Sequence, residues 1–514
     1  MGAVGEHNLA RLAEQSFARH GDREVLSFEG KVFRSGDLFE RGRRLAGGLA
    51  ALGIRPGDRV VVMMSNTPDV GTLYTALWRA GAVITPAIFL LSDAELHNIL
   101  VDSEAHAVVT TPDFLPKVRG AAAGVPTLEW IICEGEEADT VSLGQLVGAD
   151  PVEIVTREDS DLAALMYTGG TTGRAKGVML SHENLWRAGG SSHQGGYVPG
   201  INRSLVSLPL SHSFGLLVTV VGMHSPERGF SVLMKWFDPG AFLGLIQEYQ
   251  LQVAPVVPSM VQVLLSQPLE DYDLSSLRFF ACGAAPLAAE VVHKLERRLP
   301  GVEVREGYGL TESSAIISTN PPGKRRLGSV GLPVPGCEVK VVDDNDVEVP
   351  VGQMGEICAR SGTIMQGYWK AAELTAETVK DGWLHTGDMG HLDADGYIYI
   401  TDRKKDLIIR GGFNVYPRDV EDVLLEHPAV SVAAVVGRPD PVSGEEVVAF
   451  VSLRPGATVT GDELVEFSRE RLGAYKYPRE VRVVDSVPLT PVGKVDRKAV
   501  RKQVAEEARP AVTP

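Results

Sequence analysis

Apolar and polar positions change rhythm many times along the chain, and these changes mark out its elements. Residues 58–66, DRVVVMMSN, form the β-branched run of a buried strand, and residues 69–82, DVGTLYTALWRAGA, repeat apolar positions at helical spacing. AVITP (82–86), a helix beginning at Ser92 and AHAVVTT (105–111) continue the alternation. Strand, helix, strand in this order predicts a mostly parallel sheet with helices on both faces, and such sheets gather ligands at the carboxyl ends of their strands. LAALMY (162–167) predicts another buried strand; TGGTTGRAKG after it is a loop, VML a returning strand and SHENLWRA a capped helix.

Near residue 400 the texture changes. Residues 393–430 run through a hairpin-like strand, a cluster of charges, a glycine pair and a helix opened by proline. VSVAAVVGRPD, EEVVAFVSL, a helix near DELVEFSRERL and REVRVVD then suffice for a small α+β unit of roughly a hundred residues. The expected fold class is α/β: a large N-terminal domain, 1–401, of mixed and mostly parallel sheets layered with helices, a hinge at 402–405, and a small mobile α+β C-terminal domain, 406–514.

Composition narrows the function classes. The chain has 514 residues, 44% hydrophobic and 23% charged, the balance of a globular enzyme. A formal net charge of −16 argues against broad binding to nucleic acid or anionic lipid, so an anionic small ligand must be met by local groups. Cys133, Cys282, Cys337 and Cys358 are far apart and form no zinc-like spacing, which predicts reduced, mostly buried thiols. The amino terminus has no apolar export core, and the longest apolar run, FGLLVTVVGM, is about half a bilayer span. A cytoplasmic protein without integral membrane association is expected.

The chemistry gathers first in YTGGTTGRAKGV, 167–178, which holds four glycines, four hydroxyls and two cations in twelve positions. Gly169, Gly170 and Gly173 let backbone approach an anion and turn several N–H groups inward; Thr168, Thr171 and Thr172 add hydroxyls, and Lys176 adds charge. Polyphosphate suits such a loop. The spacing is not that of a Walker loop, because no hydroxyl follows a Gly-Lys pair. Taken alone, the stretch also suits a flexible surface loop.

Six further stretches accompany it in order: LPLSHSFG, FFACGAAPL, EGYGLTESS, GWLHTGDMG, YITDRKKDLIIRGGFNVYPRDVE and PLTPVGKVDRK. On these the chain resembles the acyl-adenylate-forming family of acyl-CoA synthetases, beetle luciferases and peptide-synthetase adenylation domains, over nearly its whole length. The resemblance implies an acid–thiol ligase that uses ATP, magnesium and coenzyme A, and it implies roles residue by residue. Tyr308 would stack on adenine, with Glu306, Gly307 and Gly283, Ala284 and Ala285 lining the base. Thr311 would touch the α-phosphate, while Glu312, with Thr168, would hold magnesium. Asp388 and Arg403 would take the ribose hydroxyls, and His212 would shape the acyl pocket beside the phosphate loop. Lys494 would bridge carboxylate and α-phosphate during adenylation. Lys405 matches the pivot of a rotating small domain, and Gly411 and Gly412 suit close approach by pantetheine. Read singly, Asp388 is equally a turn aspartate, Arg403 and Lys494 are solvated cations, and the glycine pair is a simple turn. Ala175 and Asp419 depart from the family pattern, where proline and glutamate are usual.

The substrate is read from what is lacking and from what is apolar. LPLSHSFG has no aspartate to hold an amino group, which disfavours amino acids; SFGLLVTVVGMHS and VAPVVPSMVQVLL would form an apolar pocket wall, which favours a fatty or aryl acid. Arg228 as a receiver of a second carboxylate competes with a solvated loop cation. The chain shows no carrier domain, so coenzyme A is the expected acceptor, with an external acyl carrier protein as the alternative. The resemblance leaves a homodimer among the open assemblies.

Overall fold

The computed structural model describes residues 5–168, 175–285, 287–411, 413–490 and 495–507. It divides into two compact units. The larger comprises Met1–Ala284, Val292–Val339 and Cys358–His385, and the smaller Ala285–Val291, Lys340–Ile357 and Thr386–Pro514.

Two sheets organise the larger unit. In the first, strands Val83–Pro86, Arg59–Met63, Ala107–Thr110, Trp130–Cys133 and Val141–Ser142 lie side by side and parallel. The β-branched runs of the first, second and third of these are buried on both faces, as parallel strands under two helical layers must be. Leu162–Thr168 joins them in parallel, and the chain then reverses: Lys176–Ser181 pairs antiparallel with it, with Thr168 opposite Lys176. Gly367–Tyr368 closes that edge, antiparallel to Lys176–Ser181.

The second sheet has nine strands, with Phe279–Cys282 and Glu303–Tyr308 parallel near one edge and Arg203–Val206 and Phe230–Leu233 parallel near its middle. One carboxamide fastens the two sheets at their carboxyl ends. Asn66 Nδ2 donates to the carbonyls of Leu208 and Met234, at 2.9 and 3.1 Å, and Asn66 Oδ1 accepts from Leu210 N–H at 2.9 Å. Its amide is buried, so these three bonds replace the water it has lost.

In the smaller unit, Val430–Asp440 and Gly444–Leu453 form a long antiparallel pair, extended by Ile408–Arg410, Phe413–Val415 and the parallel strand Glu480–Val483. Helices Pro417–Glu426, Gly461–Arg469 and Arg497–Glu507 accompany that sheet, and the unit also holds strand Ile398–Arg403 and most of Trp383–Leu392. The α/β architecture expected from the strand–helix alternation, with a large unit and a small α+β one, is the one observed. Among the described residues, no helix is long and apolar enough to cross a membrane.

Candidate active site

Thr168 and Lys176 stand opposite each other at the mouth of the glycine-rich loop, because the antiparallel turn-back sets them in register. Gly169, Gly170, Thr171, Thr172 and Gly173 lie outside the described residues. The Lys176 ammonium sits 5.3 Å from the centroid of the Tyr368 ring, within cation–π range. Tyr368 in turn donates its hydroxyl to Glu312 Oε1 at 2.8 Å. The segment around that tyrosine also grips main chain on both sides: Met365 N–H donates to Glu312 O at 2.8 Å, and Trp369 N–H to Gly177 O at 2.7 Å. Glu312 is thereby attached to the strand that leaves the loop, although more than a hundred residues separate them.

The predicted base-binding residues converge on neighbouring strands of the second sheet, where Cys282 is opposite Glu306. Glu306 is buried, and burial together with its charge pushes the Cys282 thiol well above its usual range, leaving that sulfur protonated and inert. A Cβ on Gly283 would lie 3.4 Å from Gly307 O and 3.6 Å from the Phe214 ring, which places all three at one wall. The turn beyond Tyr308 is tightly folded. A Cβ on Gly309 would meet the Ala315 carbonyl at 2.4 Å, so only glycine fits. Ala284, Ser314 and Ala315 take positive φ angles of 73°, 53° and 69°, a concentration of backbone strain typical of ligand sites. Ala285 follows directly and belongs to the smaller unit.

Thr311 and His212 belong to the same neighbourhood. The Thr311 hydroxyl is 3.5 Å from that of Ser213, the residue after His212. His212 caps the helix Ser213–His224: its Nδ1 accepts from Phe214 N–H at 3.3 Å, which assigns the ring proton of a neutral imidazole to Nε2. Arg228, by contrast, is exposed and precedes the amino end of strand Phe230–Leu233, away from the carboxyl ends where the other candidates sit.

Within the smaller unit, Asp388 and Arg403 are cross-strand partners, with Arg403 Nε 3.0 Å from Asp388 Oδ1. Asp388 is buried, and a sharp bend at Gly387 (φ 70°), held by Gly387 N–H to Glu356 Oε1 at 3.0 Å, aims it. Lys405 lies in the single turn Lys404–Asp406. Gly411 has φ 59° and donates its N–H to Ser443 O at 2.7 Å; a Cβ there would meet nothing, so its surface is open. Gly412 and Lys494 lie outside the described residues, though Leu489 and Val495 on either side of residues 491–494 form a bridge.

Sequence reasoning missed two groups. Tyr368 sits in GYWK, where nothing in the spacing marks it. Arg497 lies in PLTPVGKVDRK, where it looks like one more basic residue; it contacts Glu421 at 3.0 and 2.5 Å, Asp402 at 2.9 Å and Asp406 at 3.4 Å. Asp402 and Asp406 flank the predicted pivot.

Among the described residues no three acidic, histidine or cysteine side chains cluster as a metal cage. A lone oriented carboxylate such as Glu312 fits magnesium all the same, since that ion is commonly held by one or two carboxylates plus substrate phosphates and water.

Two layered sheets, one of them with the glycine-rich stretch following the carboxyl end of strand Leu162–Thr168, joined in the chain to a small α+β unit, define a two-part α/β architecture. The chain belongs to the AMP-binding enzyme family: that family's pattern matches residues 13–369, and the AMP-binding enzyme C-terminal domain matches residues 419–494. It is 36% identical over 504 residues to a feruloyl-CoA synthase of Amycolatopsis sp, covering 96% of this chain and 97% of that one. It is 33% identical to a long-chain-fatty-acid–CoA ligase of Bacillus subtilis, covering 97% and 95%. ATP-bound MatB from Rhodopseudomonas palustris superposes with a TM-score of 0.89 at 31% identity, over 97% of this chain and 100% of that one. An anthranilate CoA ligase in complex with anthranoyl-AMP superposes at 0.91 and 26% identity, over 98% of each.

Proposed function

We propose that this protein activates a carboxylic acid with ATP to a bound acyl-adenylate, releasing pyrophosphate, and then transfers the acyl group to coenzyme A, releasing AMP. The observation that carries the reading is the meeting of Lys176 and Glu312 on one tyrosine at the mouth of the glycine-rich loop, a cation and a carboxylate drawn together where polyphosphate would lie. The wall of Gly283, Glu306, Gly307 and Tyr308 would take adenine, and Thr311 the α-phosphate; Asp388 and Arg403 would hold the ribose. Glu312 and Thr168 would hold magnesium, which supplies charge neutralisation on the triphosphate. The acid needs no general base because a carboxylate is already a nucleophile. His212, fixed as a helix cap, would shape the acyl pocket rather than move a proton. Negative charge accumulates at phosphorus as the carboxylate attacks and pyrophosphate leaves, and the Lys494 ammonium would stabilise it.

The second step calls for a rearrangement. An acyl-adenylate is a reactive mixed anhydride that must be kept from water and then exposed to a thiol, which a small domain pivoting at Lys405 achieves by withdrawing Lys494 and presenting Gly411 and Gly412 to pantetheine. The relatives act on feruloyl, long-chain fatty and coumaroyl groups by name, which supports an aryl or fatty acid here. Four free cysteines and dependence on ATP and coenzyme A support a cytoplasmic place, and a fatty acid substrate would put the enzyme in fatty acid metabolism. An external acyl carrier protein is the rival acceptor. Exchange of radiolabelled pyrophosphate into ATP across an acid panel tests the first step, and a parallel assay with coenzyme A and holo-carrier proteins tests the second. Failure of every acid to support exchange would overturn the reading.

A further inference from the structure

We infer that Tyr368 is a positioning residue for the adenylation step: it fixes the Glu312 carboxylate against the mouth of the phosphate loop, so that the magnesium–ATP complex meets a ligand already oriented. The inference rests on the adenylating function proposed above. Four hydrogen bonds argue for it. The Tyr368 hydroxyl donates to Glu312 Oε1 at 2.8 Å from a side chain only 6% exposed. A buried phenol with a carboxylate partner has its donor direction fixed, and a charge-assisted bond of this kind is among the stronger ones a side chain makes. The same segment holds Glu312 by its backbone, through Met365 N–H to Glu312 O at 2.8 Å. It also holds the outgoing strand of the loop, through Trp369 N–H to Gly177 O at 2.7 Å and Gln366 N–H to Met179 O at 3.0 Å. The short strand Gly367–Tyr368 therefore works as a staple between the carboxylate and the loop, and its aromatic face also receives Lys176.

Without the hydroxyl the carboxylate keeps its backbone anchor but loses its rotamer. Magnesium–ATP would then have to select the productive rotamer, so affinity for the metal complex falls while the acid and thiol sites are untouched. Tyr368→Phe isolates this effect, because phenylalanine retains the ring on which Lys176 rests.

The test measures pyrophosphate exchange across a magnesium titration at fixed ATP and, separately, manganese binding by electron paramagnetic resonance in the presence of a non-hydrolysable α,β-methylene ATP. For Tyr368→Phe, half-saturating magnesium is expected to rise about tenfold, manganese binding to weaken by a similar factor, and thioester formation from a supplied acyl-adenylate to stay within about twofold. In a Glu312→Gln background, Tyr368→Phe is expected to add less than about twofold, because the carboxylate it orients is already gone. An unchanged metal titration, equal loss in both half-reactions, or full additivity with Glu312→Gln would each overturn the assignment; if Tyr368→Phe fails to fold, the hydroxyl is structural and the assignment falls with it. Absence of exchange in the unmodified enzyme would instead overturn the adenylating function itself.

Discussion

Asp388 and Arg403 face each other across an antiparallel pair, Nε 3.0 Å from Oδ1, with the carboxylate buried and the guanidinium about half exposed. The exposed partner leaves the pair accessible to two vicinal hydroxyls. Asp388→Asn should therefore raise the KM for ATP about ten- to a hundredfold with little change in melting temperature, as measured by pyrophosphate exchange and thermal unfolding. An unaltered KM would remove Asp388 from ribose recognition.

In the roles proposed for them, Lys494 and Lys405 should separate the two half-reactions. Lys494→Ala is expected to slow pyrophosphate release on the order of a hundredfold or more while sparing thioester formation from a supplied acyl-adenylate. Lys405→Pro should do the reverse, because a fixed φ stiffens the turn Lys404–Asp406. Equal losses in both assays for either variant would count against a two-orientation cycle.

Acid should destabilise the larger unit early. Burial lowers His182 to about 4 and His224 to about 4, and Leu9 N–H donates to His182 Nδ1 at 3.3 Å, which favours the neutral ring. The unfolded chain takes up these protons near the ordinary histidine value of 6.5 and the folded chain does not, so the contribution is intact above pH 6.5 and is lost as pH falls towards 4. The loss is about 3 kcal/mol for His182 and less for the partly exposed His224. Glu134, raised to about 7 by burial and then by Asp69, opposes this between pH 7 and 4.5. Denaturant melts of His182→Gln should show a shallower fall in stability below pH 6.5; an unchanged slope would show that His182 is not the group responsible.

Arg497 is the shared counter-ion of Asp402, Asp406 and Glu421, all of them buried. Arg497→Met leaves those carboxylates short of a cation and should cost about 3–5 kcal/mol of stability in the smaller unit, seen by chemical denaturation. Glu421→Gln, which removes one of the charges instead, should cost less, and the reverse order would contradict the network.

The parallel strands were legible because burial on both faces forces unbroken β-branched runs such as RVVVM and AVVT; the glycine-rich stretch stands out by its density of glycine and hydroxyl, with residues 169–174 outside the described residues. Asp388 and Arg403 could be named singly, but their pairing depends on a hairpin register with an irregularity between Met389 and Gly390, which no local pattern announces. Tyr368 and Arg497 were silent for a related reason. Each acts on partners dozens of residues away, so the residues beside them look like an ordinary aromatic turn and an ordinary basic helix start.

The Asn66 carboxamide has a consequence for how such a protein can diverge. The loop that would cradle phosphate ends a strand of one sheet, and the wall that would receive adenine ends strands of the other. Three main-chain bonds to one small side chain thus help to set their separation, alongside the apolar core that the two sheets share. Pocket-lining residues can then drift from one acid to another while the span offered to the nucleotide stays constant, and new substrate preferences can arise without redesigning the activation chemistry.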